Sequence, residues 1–168
     1  SPSNNTYAVN TVTVNLSGDA THHWYYIEPV DTQNQTWTNS EDRTLADGSY
    51  TLHTYGNDTA GLETHTQVSF TIDITPPEIT ILSPQHLEYG SVNITILFSG
   101  QAKYYWYSIE PFDSQNQSWI TSTNRTLFDG TFTLHAYGND TVGNIGYEFV
   151  EFLIVISGPK IFVKYHNK

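Results

Sequence analysis

The sequence predicts an all-β chain: two tandem β-sandwich domains, the first lacking its opening strand. Three observations predict it. Apolar residues alternate with polar ones at a period of two, and no stretch holds a helical period over ten or more residues. The chain matches itself without a gap at an offset of 82 residues, with about 28 of the 45 positions from Ser17 to Gly61 identical. The repeat also starts out of frame, because Ser1-Pro2 falls on Ser83-Pro84.

In chain order, Val12, Val14 and Leu16 alternate with Thr13 and Asn15 as a half-buried strand. Trp24-Tyr25-Tyr26-Ile27-Glu28-Pro29 follows, repeated as Trp106-Tyr107-Ser108-Ile109-Glu110-Pro111. Gly18, Asp47-Gly48 and Gly56-Asn57-Asp58 punctuate the runs as turns. Val68, Phe70, Ile72 and Ile74 form a strand that Pro76-Pro77 must interrupt, since proline offers the ladder no donor. Ile79 and Ile81 open the second unit, and Val92, Ile94, Ile96 and Phe98 repeat the alternation of Val12 to Leu16. The expected domains are 1–75, 76–157 and a C-terminal strand at 158–168. Pro159, Ile161 and Val163 stand in register with Pro77, Ile79 and Ile81, whereas nothing before Ser1 supplies that run to the first unit.

Asp47-Gly48-Ser49-Tyr50-Thr51-Leu52 and Asp129-Gly130-Thr131-Phe132-Thr133-Leu134 resemble the entry to strand F of immunoglobulin-like domains. With Thr75-Pro76-Pro77-Glu78-Ile79-Thr80-Ile81 and Tyr55-Gly56-Asn57-Asp58-Thr59-Ala60-Gly61, the pattern looks like the tandem Ig-like repeats of archaeal and bacterial cell-surface proteins. The resemblance implies a corner tyrosine at Tyr50, which Phe132 cannot reproduce. It also implies core leucines at Leu52 and Leu134, and core tryptophans at Trp24 and Trp106. It specifies a fold and a surface setting, not an activity.

A sandwich one strand short has an uncovered groove and unpaired backbone groups at a sheet edge. The expected function is therefore that of a structural subunit of an extracellular filament, arranged like a donor-strand-complemented pilus. Pro159, Lys160, Ile161, Phe162, Val163, Lys164 and Tyr165 would insert into the first domain of the next copy, head to tail. Phe149, Leu153 and Val155 replace Gln67, Thr71 and Asp73 of the first unit, making one strand apolar on both faces. These three are expected at a subunit interface. Charge points the same way: Lys160, Lys164 and Lys168 are half of the 6 basic residues, and all 17 acidic ones precede them. A cationic strand would be steered towards an anionic acceptor.

A net charge of -11 argues against nucleic-acid binding, which needs a basic surface. No apolar run approaches a membrane span. Absence of Cys removes disulfides, thiol catalysis and Cys-based zinc sites. Absence of Met reads as a processed or excised chain, and Ser-Pro at the start fits a removed signal peptide. No nucleophile–base motif, phosphate loop or glycine fingerprint is present, so no enzyme is expected. No cofactor is expected either, although Asp47, Asp58, Asp129 and Asp140 sit in turns where oxygen ligands could gather around calcium. His53 and His135 recur in register without metal-site spacing. Sequons occur at Asn4, Asn15, Asn34, Asn57, Asn93, Asn116, Asn124 and Asn139, where about three are expected by chance, so N-linked glycans are expected partners. Two alternatives stay open: a carbohydrate-binding or adhesive module using Trp24, Tyr25, Tyr26 and Trp37, or a segment of a longer surface-layer array.

Overall fold

A computed structural model describes residues 1–156 and Gly158. The strands are β1 (Thr6–Tyr7), β2 (Thr11–Val14), β3 (His22–Glu28), β4 (Gln35–Trp37), β5 (Glu41–Thr44), β6 (Gly48–Asn57), β7 (Glu63–Ile72), β8 (Ile79–Ser83), β9 (Glu88–Tyr89), β10 (Asn93–Gly100), β11 (Tyr104–Glu110), β12 (Gln117–Trp119), β13 (Thr123–Thr126), β14 (Gly130–Asn139) and β15 (Ile145–Ile154). No helix occurs among the described residues. Contacts divide the chain into two compact units, Ser1–Thr75 with Val142–Asn144, and Pro76–Thr141 with the chain from Ile145 on.

In the first unit, the sheet β1-β7-β6-β3-β4 faces the two-stranded sheet β2-β5. Strand β1 runs parallel to β7, pairing Thr6 with Thr71. The core is built from the inward residues of the alternation: Val12, Val14, Tyr25, Ile27, Leu52, Phe70 and Ile72 are all buried. In the second unit, the sheet β12-β11-β14-β15-β9 faces β13-β10-β8. Its core holds Ile94, Ile96, Phe98, Tyr107, Ile109, Leu134 and Ile154, with Ile79 of β8 added. Every strand of the first unit has a partner at the 82-residue offset. Strand β8 alone has none among the described residues.

The corner tyrosine is present: the Tyr50 hydroxyl donates to the Ala46 carbonyl at 2.8 Å. Leu52 and Leu134 are buried as expected. The tryptophan expectation is corrected, because Trp24 and Trp106 face away from the core and stack on Tyr55 and Tyr137. With Ile27 inward, the period of two puts Tyr25 inward and Trp24 outward, so Tyr25 and Tyr107 fill the core position. A buried phenol needs a hydrogen-bond partner. Arg43 Nη1 donates to the Tyr25 hydroxyl at 3.1 Å, and Arg125 serves Tyr107 at 2.9 Å. Ile74 is a second correction: β7 ends at Ile72, and Ile74 is exposed beyond it.

Candidate functional site

The second unit shows how a first strand is seated. β8 runs antiparallel to β10, pairing Ser83 with Leu97, Ile81 with Phe98, Thr80 with Ser99 and Ile79 with Gly100. Gln101 N–H donates to the Glu78 carbonyl at 3.1 Å. Gly100 has φ +147°, and a Cβ there would sit on the Glu78 carbonyl oxygen. Gly146 of β15 is likewise required: its missing Cβ leaves room for the Pro77 carbonyl oxygen.

The first unit repeats only the last rung of this ladder. Ser1 and Asn15 exchange two backbone bonds, Ser1 N to Asn15 O at 2.9 Å and Asn15 N to Ser1 O at 3.0 Å. That pair corresponds to Ser83 and Leu97. Beyond it, no described residue stands against Leu16, Ser17 and Gly18 as Ile81, Thr80 and Ile79 stand against their counterparts, and none accepts from Asp19 N–H as Glu78 does from Gln101. A groove of about 300 Å³ lies there, lined by Leu16, His23, Leu52, Thr54, Thr64 and Val68 among others. Gly18 keeps φ +156°, yet a Cβ there would meet only His23 Nε2, at 3.7 Å. His23 Nε2 is buried without a hydrogen-bond partner.

The occupant expected for this groove, Pro159 to Tyr165, lies outside the described residues. Phe149, Leu153 and Val155 are on the outer side of the second unit, 53%, 36% and 37% exposed. Leu153 and Val155 N–H groups pair with Leu87 and Tyr89 carbonyls at the β9 edge, which turns their side chains outward. Phe149 joins Tyr147 and His135 in a row of near-parallel rings. Six sequon asparagines, Asn4, Asn15, Asn34, Asn93, Asn116 and Asn124, are exposed. Asn57 and Asn139 are half-buried, with Oδ1 shielded from solvent.

Turn aspartates are occupied by the backbone. Asp47 accepts from Ile74 N–H at 2.7 Å and from the Thr75 hydroxyl. These bonds hold its carboxyl below the usual carboxylate range. Asp58 Oδ1 accepts from Ala60 and Leu62 N–H, and Asp129 Oδ1 from Ile156 N–H. Among the described residues, no three His, Asp or Glu side chains gather to hold a metal. His53 Nδ1 lies 3.3 Å from His65 Nε2, and His135 Nδ1 lies 2.7 Å from the Tyr147 hydroxyl. Of the four aromatic residues considered for sugar stacking, Tyr25 is buried and Trp37 reaches across to the Val14 carbonyl. Trp24 and Tyr26 pack against Tyr55 and His53.

Two features escaped the sequence reading. Arg43 makes a two-pronged ion pair with Asp31, and Arg125 with Asp113, beneath the core tyrosines. Burial pushes the Asp31 carboxyl up, but Arg43 and the Ile27 N–H outweigh it and hold its pKa below the usual value. The signal was available, since Tyr25, Asp31 and Arg43 all recur at the 82-residue offset. The second feature is the Gly146/Thr64 difference in the groove wall, visible only once β8 is seen passing over Gly146.

Residues 2–74 match the model of the bacterial Ig-like domain family, across the first unit. No curated protein matches the chain. Similar solved structures include the fibronectin(III)-like modules of Clostridium thermocellum CbhA, 10% identical, covering 98% of this chain and 96% of that one, with a TM-score of 0.45. Bacteroides ovatus SGBP-B, solved with a mixed-linkage heptasaccharide, is 14% identical over 88% of this chain and 42% of its own, with a TM-score of 0.35. Protocadherin gammaB7 EC3-6 is 16% identical over 90% and 44%, with a TM-score of 0.41. The chain thus spans less than half the length of the latter two, and none of the three carries an argument about partners. The Ig-like fold is typical of non-catalytic structural and binding domains. No helix among the described residues is long and apolar enough to cross a membrane.

Proposed function

We propose that the chain is a structural subunit of an extracellular filament, joined head to tail by insertion of Pro159 to Tyr165 into the first unit of the next copy. One observation carries the reading: the edge that β8 covers in the second unit has no strand against it in the first among the described residues. The groove keeps Gly18, whose lack of a Cβ leaves a path for an incoming carbonyl like that of Glu78. Lys160, Ile161 and Val163 would then take the places of Glu78, Ile79 and Ile81. Burying Ile161 and Val163 gains about 1.5–3 kcal/mol each. Each restored ladder bond adds about 1 kcal/mol net, against about 1–2 kcal/mol of backbone entropy per ordered residue. That narrow balance makes a second contact necessary, and the exposed row of Phe149, Leu153 and Val155 is the surface we assign to it. Lysines at 160, 164 and 168 complement a body whose acidic residues include Asp19 at the groove. A heterologous contact of this kind propagates into an open polymer. The bacterial Ig-like match supports a surface or secreted setting, and the exposed sequons support N-linked glycans there.

Negative-stain microscopy and light scattering test it on three chains: the full chain, a chain ending at Gly158, and the full chain with residues 76–82 grafted ahead of Ser1. Filaments are expected from the first alone. Filaments from the truncated chain remove the tail from the mechanism. Filaments from the grafted chain remove the groove, and a first unit stabilised by the graft while the full chain stays monomeric assigns the groove to a preceding segment of a longer chain.

A further inference from the structure

At the β11–β12 edge of the second unit an apolar surface lies beside an attachment point for sugar. Ser118 of β12 stands directly opposite Trp106 of β11, and residues opposite one another share a face of the sheet. Tyr107 and Ile109 point into the core, which turns Trp106 outward. One face of its indole lies against Tyr137, with ring centroids 5.9 Å apart and planes 8° from parallel. Tyr137 is on β14, and β12 runs on the other side of β11. There the small Ser118 leaves an open cavity of about 900 Å³, lined by Lys103, Tyr104, Trp106, Asn116, Ser118 and Ile120 among others. Tyr104 is 59% exposed and Ile120 91%. Lys103 Nζ lies 5.2 Å from the centre of the Tyr104 ring. Asn116-Gln117-Ser118 is a sequon, so the asparagine and the hydroxyl that sugar attachment requires both line this cavity, and both are exposed.

Resting on the N-linked glycans proposed above, and independent of the filament, we infer that Asn116 carries a glycan whose first sugars fold back over Trp106, Tyr104 and Ile120. The C–H face of a pyranose matches the face of an indole, and the Lys103 ammonium offers donors to its hydroxyls. Stacking of this kind is weak for a free sugar. Attachment at Asn116 makes it intramolecular, with the high effective concentration of a short tether. The sugar would also cover a contiguous apolar patch that, left bare, invites association. The first unit supplies the internal comparison. It keeps Asn34, Thr36 and Trp24 in register, with Thr36 opposite Trp24. Thr21, His22 and Thr38 stand there in place of Lys103, Tyr104 and Ile120. A glycan at Asn34 meets one tryptophan without the apolar flanks, and gains little by folding back.

The test compares the full chain from an N-glycosylating host with its Asn116→Gln and Asn34→Gln variants. Glycopeptide mapping should find sugar at Asn116, and NMR of protein carrying isotope-labelled sugar should show cross-peaks from the first sugars to the Trp106 indole. Asn116→Gln should lower the thermal midpoint of the second unit by about 4 °C, while Asn34→Gln leaves that of the first unit nearly unchanged. In protein from a host that adds no sugar, Asn116→Gln should change nothing, which separates the glycan from the asparagine itself. In a Trp106→Ala background Asn116→Gln should cause no further loss. If Trp106→Ala does not fold, Ile120→Ser should shrink the shift and weaken the cross-peaks. Bare Asn116 beside other sugar-bearing sequons, equal shifts at Asn116 and Asn34, or a shift that ignores Trp106→Ala and Ile120→Ser overturns the inference while leaving the glycan reading standing. Absence of sugar from every exposed sequon overturns that reading as well. A midpoint that follows protein concentration and not sugar gives the patch to a second copy, and also overturns the inference.

Discussion

Gly18 and Gly100 occupy equivalent positions with φ of +156° and +147°, so alanine strains the backbone similarly at both. That shared cost is about 1–3 kcal/mol. The surroundings then differ. At Gly100 the new Cβ lands on the Glu78 carbonyl and lies 3.2 Å from Ile79 Cα, so β8 must shift. Losing the seat of Ile79 costs about 1.5–3 kcal/mol, and breaking two ladder bonds costs about 1 kcal/mol each. Gly100→Ala should therefore destabilise the second unit by about 3–5 kcal/mol more than Gly18→Ala destabilises the first. Differential scanning calorimetry on the chain with the Ile161→Asp and Val163→Asp tail reads this difference directly. On the donor-strand proposal the ranking should invert once chains are allowed to join. Gly18→Ala blocks the approach of the Lys160 carbonyl, and a loss of about 3 kcal/mol weakens subunit joining more than 100-fold. Sedimentation velocity should find Gly18→Ala chains as monomers at concentrations where the parent is polymeric. Normal filaments from Gly18→Ala, or equal stability losses at the two glycines, would refute the reasoning.

Removing the partner of a buried carboxylate is costly, so Arg43→Ala should destabilise the first unit by about 3 kcal/mol in urea unfolding, with the second unit unaffected. Because the folded Asp31 pKa is depressed, its contribution is fully present above the ordinary carboxylate pKa of about 4 and is lost as pH falls below it. Unfolding titrations should show stability of the first unit flat near neutral pH and falling on acidification, and Asp31→Asn should flatten that fall. Tyr50→Phe removes the bond to the Ala46 carbonyl and should cost about 1 kcal/mol, read from the thermal midpoint of the first unit. Glycopeptide mapping of protein from an N-glycosylating host should find sugar only among the six exposed sequons, with Asn57 and Asn139 unmodified.

Most of the sandwich was legible because a half-buried strand writes its burial into a period of two. Val12, Val14, Ile94, Ile96 and Phe98 point inward where the alternation puts them. At Trp24 phase outweighs size: next to the inward Tyr25, a tryptophan cannot share the inner face with Ile27. The offset of 82 already shows in the sequence that the β8 run has no counterpart among the described residues. The wall of the groove beside Leu16 was not legible. Contacts between β8 and β15 join residues far apart in sequence, and a glycine needed for close backbone approach looks the same as one in a turn. The Arg43–Asp31 pair was hidden for a related reason, because twelve residues separate partners that meet only when β5 and the turn after β3 come together in the folded unit.

The two grooves also differ in polarity, and on the donor-strand proposal the difference follows from how each is closed. Around β8 the second unit places Phe98, Tyr105, Ala136 and Gly146. At the same offsets the open groove has Leu16, His23, Thr54 and Thr64. A groove filled by a covalently attached strand never meets water in the folded chain, and apolar walls cost it nothing. One that waits for a strand from another molecule must stay soluble while empty, because a contiguous apolar cleft invites indiscriminate association. More polar walls weaken the final contact, and on that proposal the specificity left over comes from shape at Gly18. Restoring the apolar set tests this: a chain with Leu16→Phe and Thr54→Ala should bind the 157–168 peptide more tightly, by about tenfold for roughly one buried methyl-sized group and a fuller ring. The same chain should also aggregate at lower concentration when its tail carries Ile161→Asp and Val163→Asp. Tighter binding without that aggregation would show that the polar wall has some purpose other than keeping the empty groove soluble.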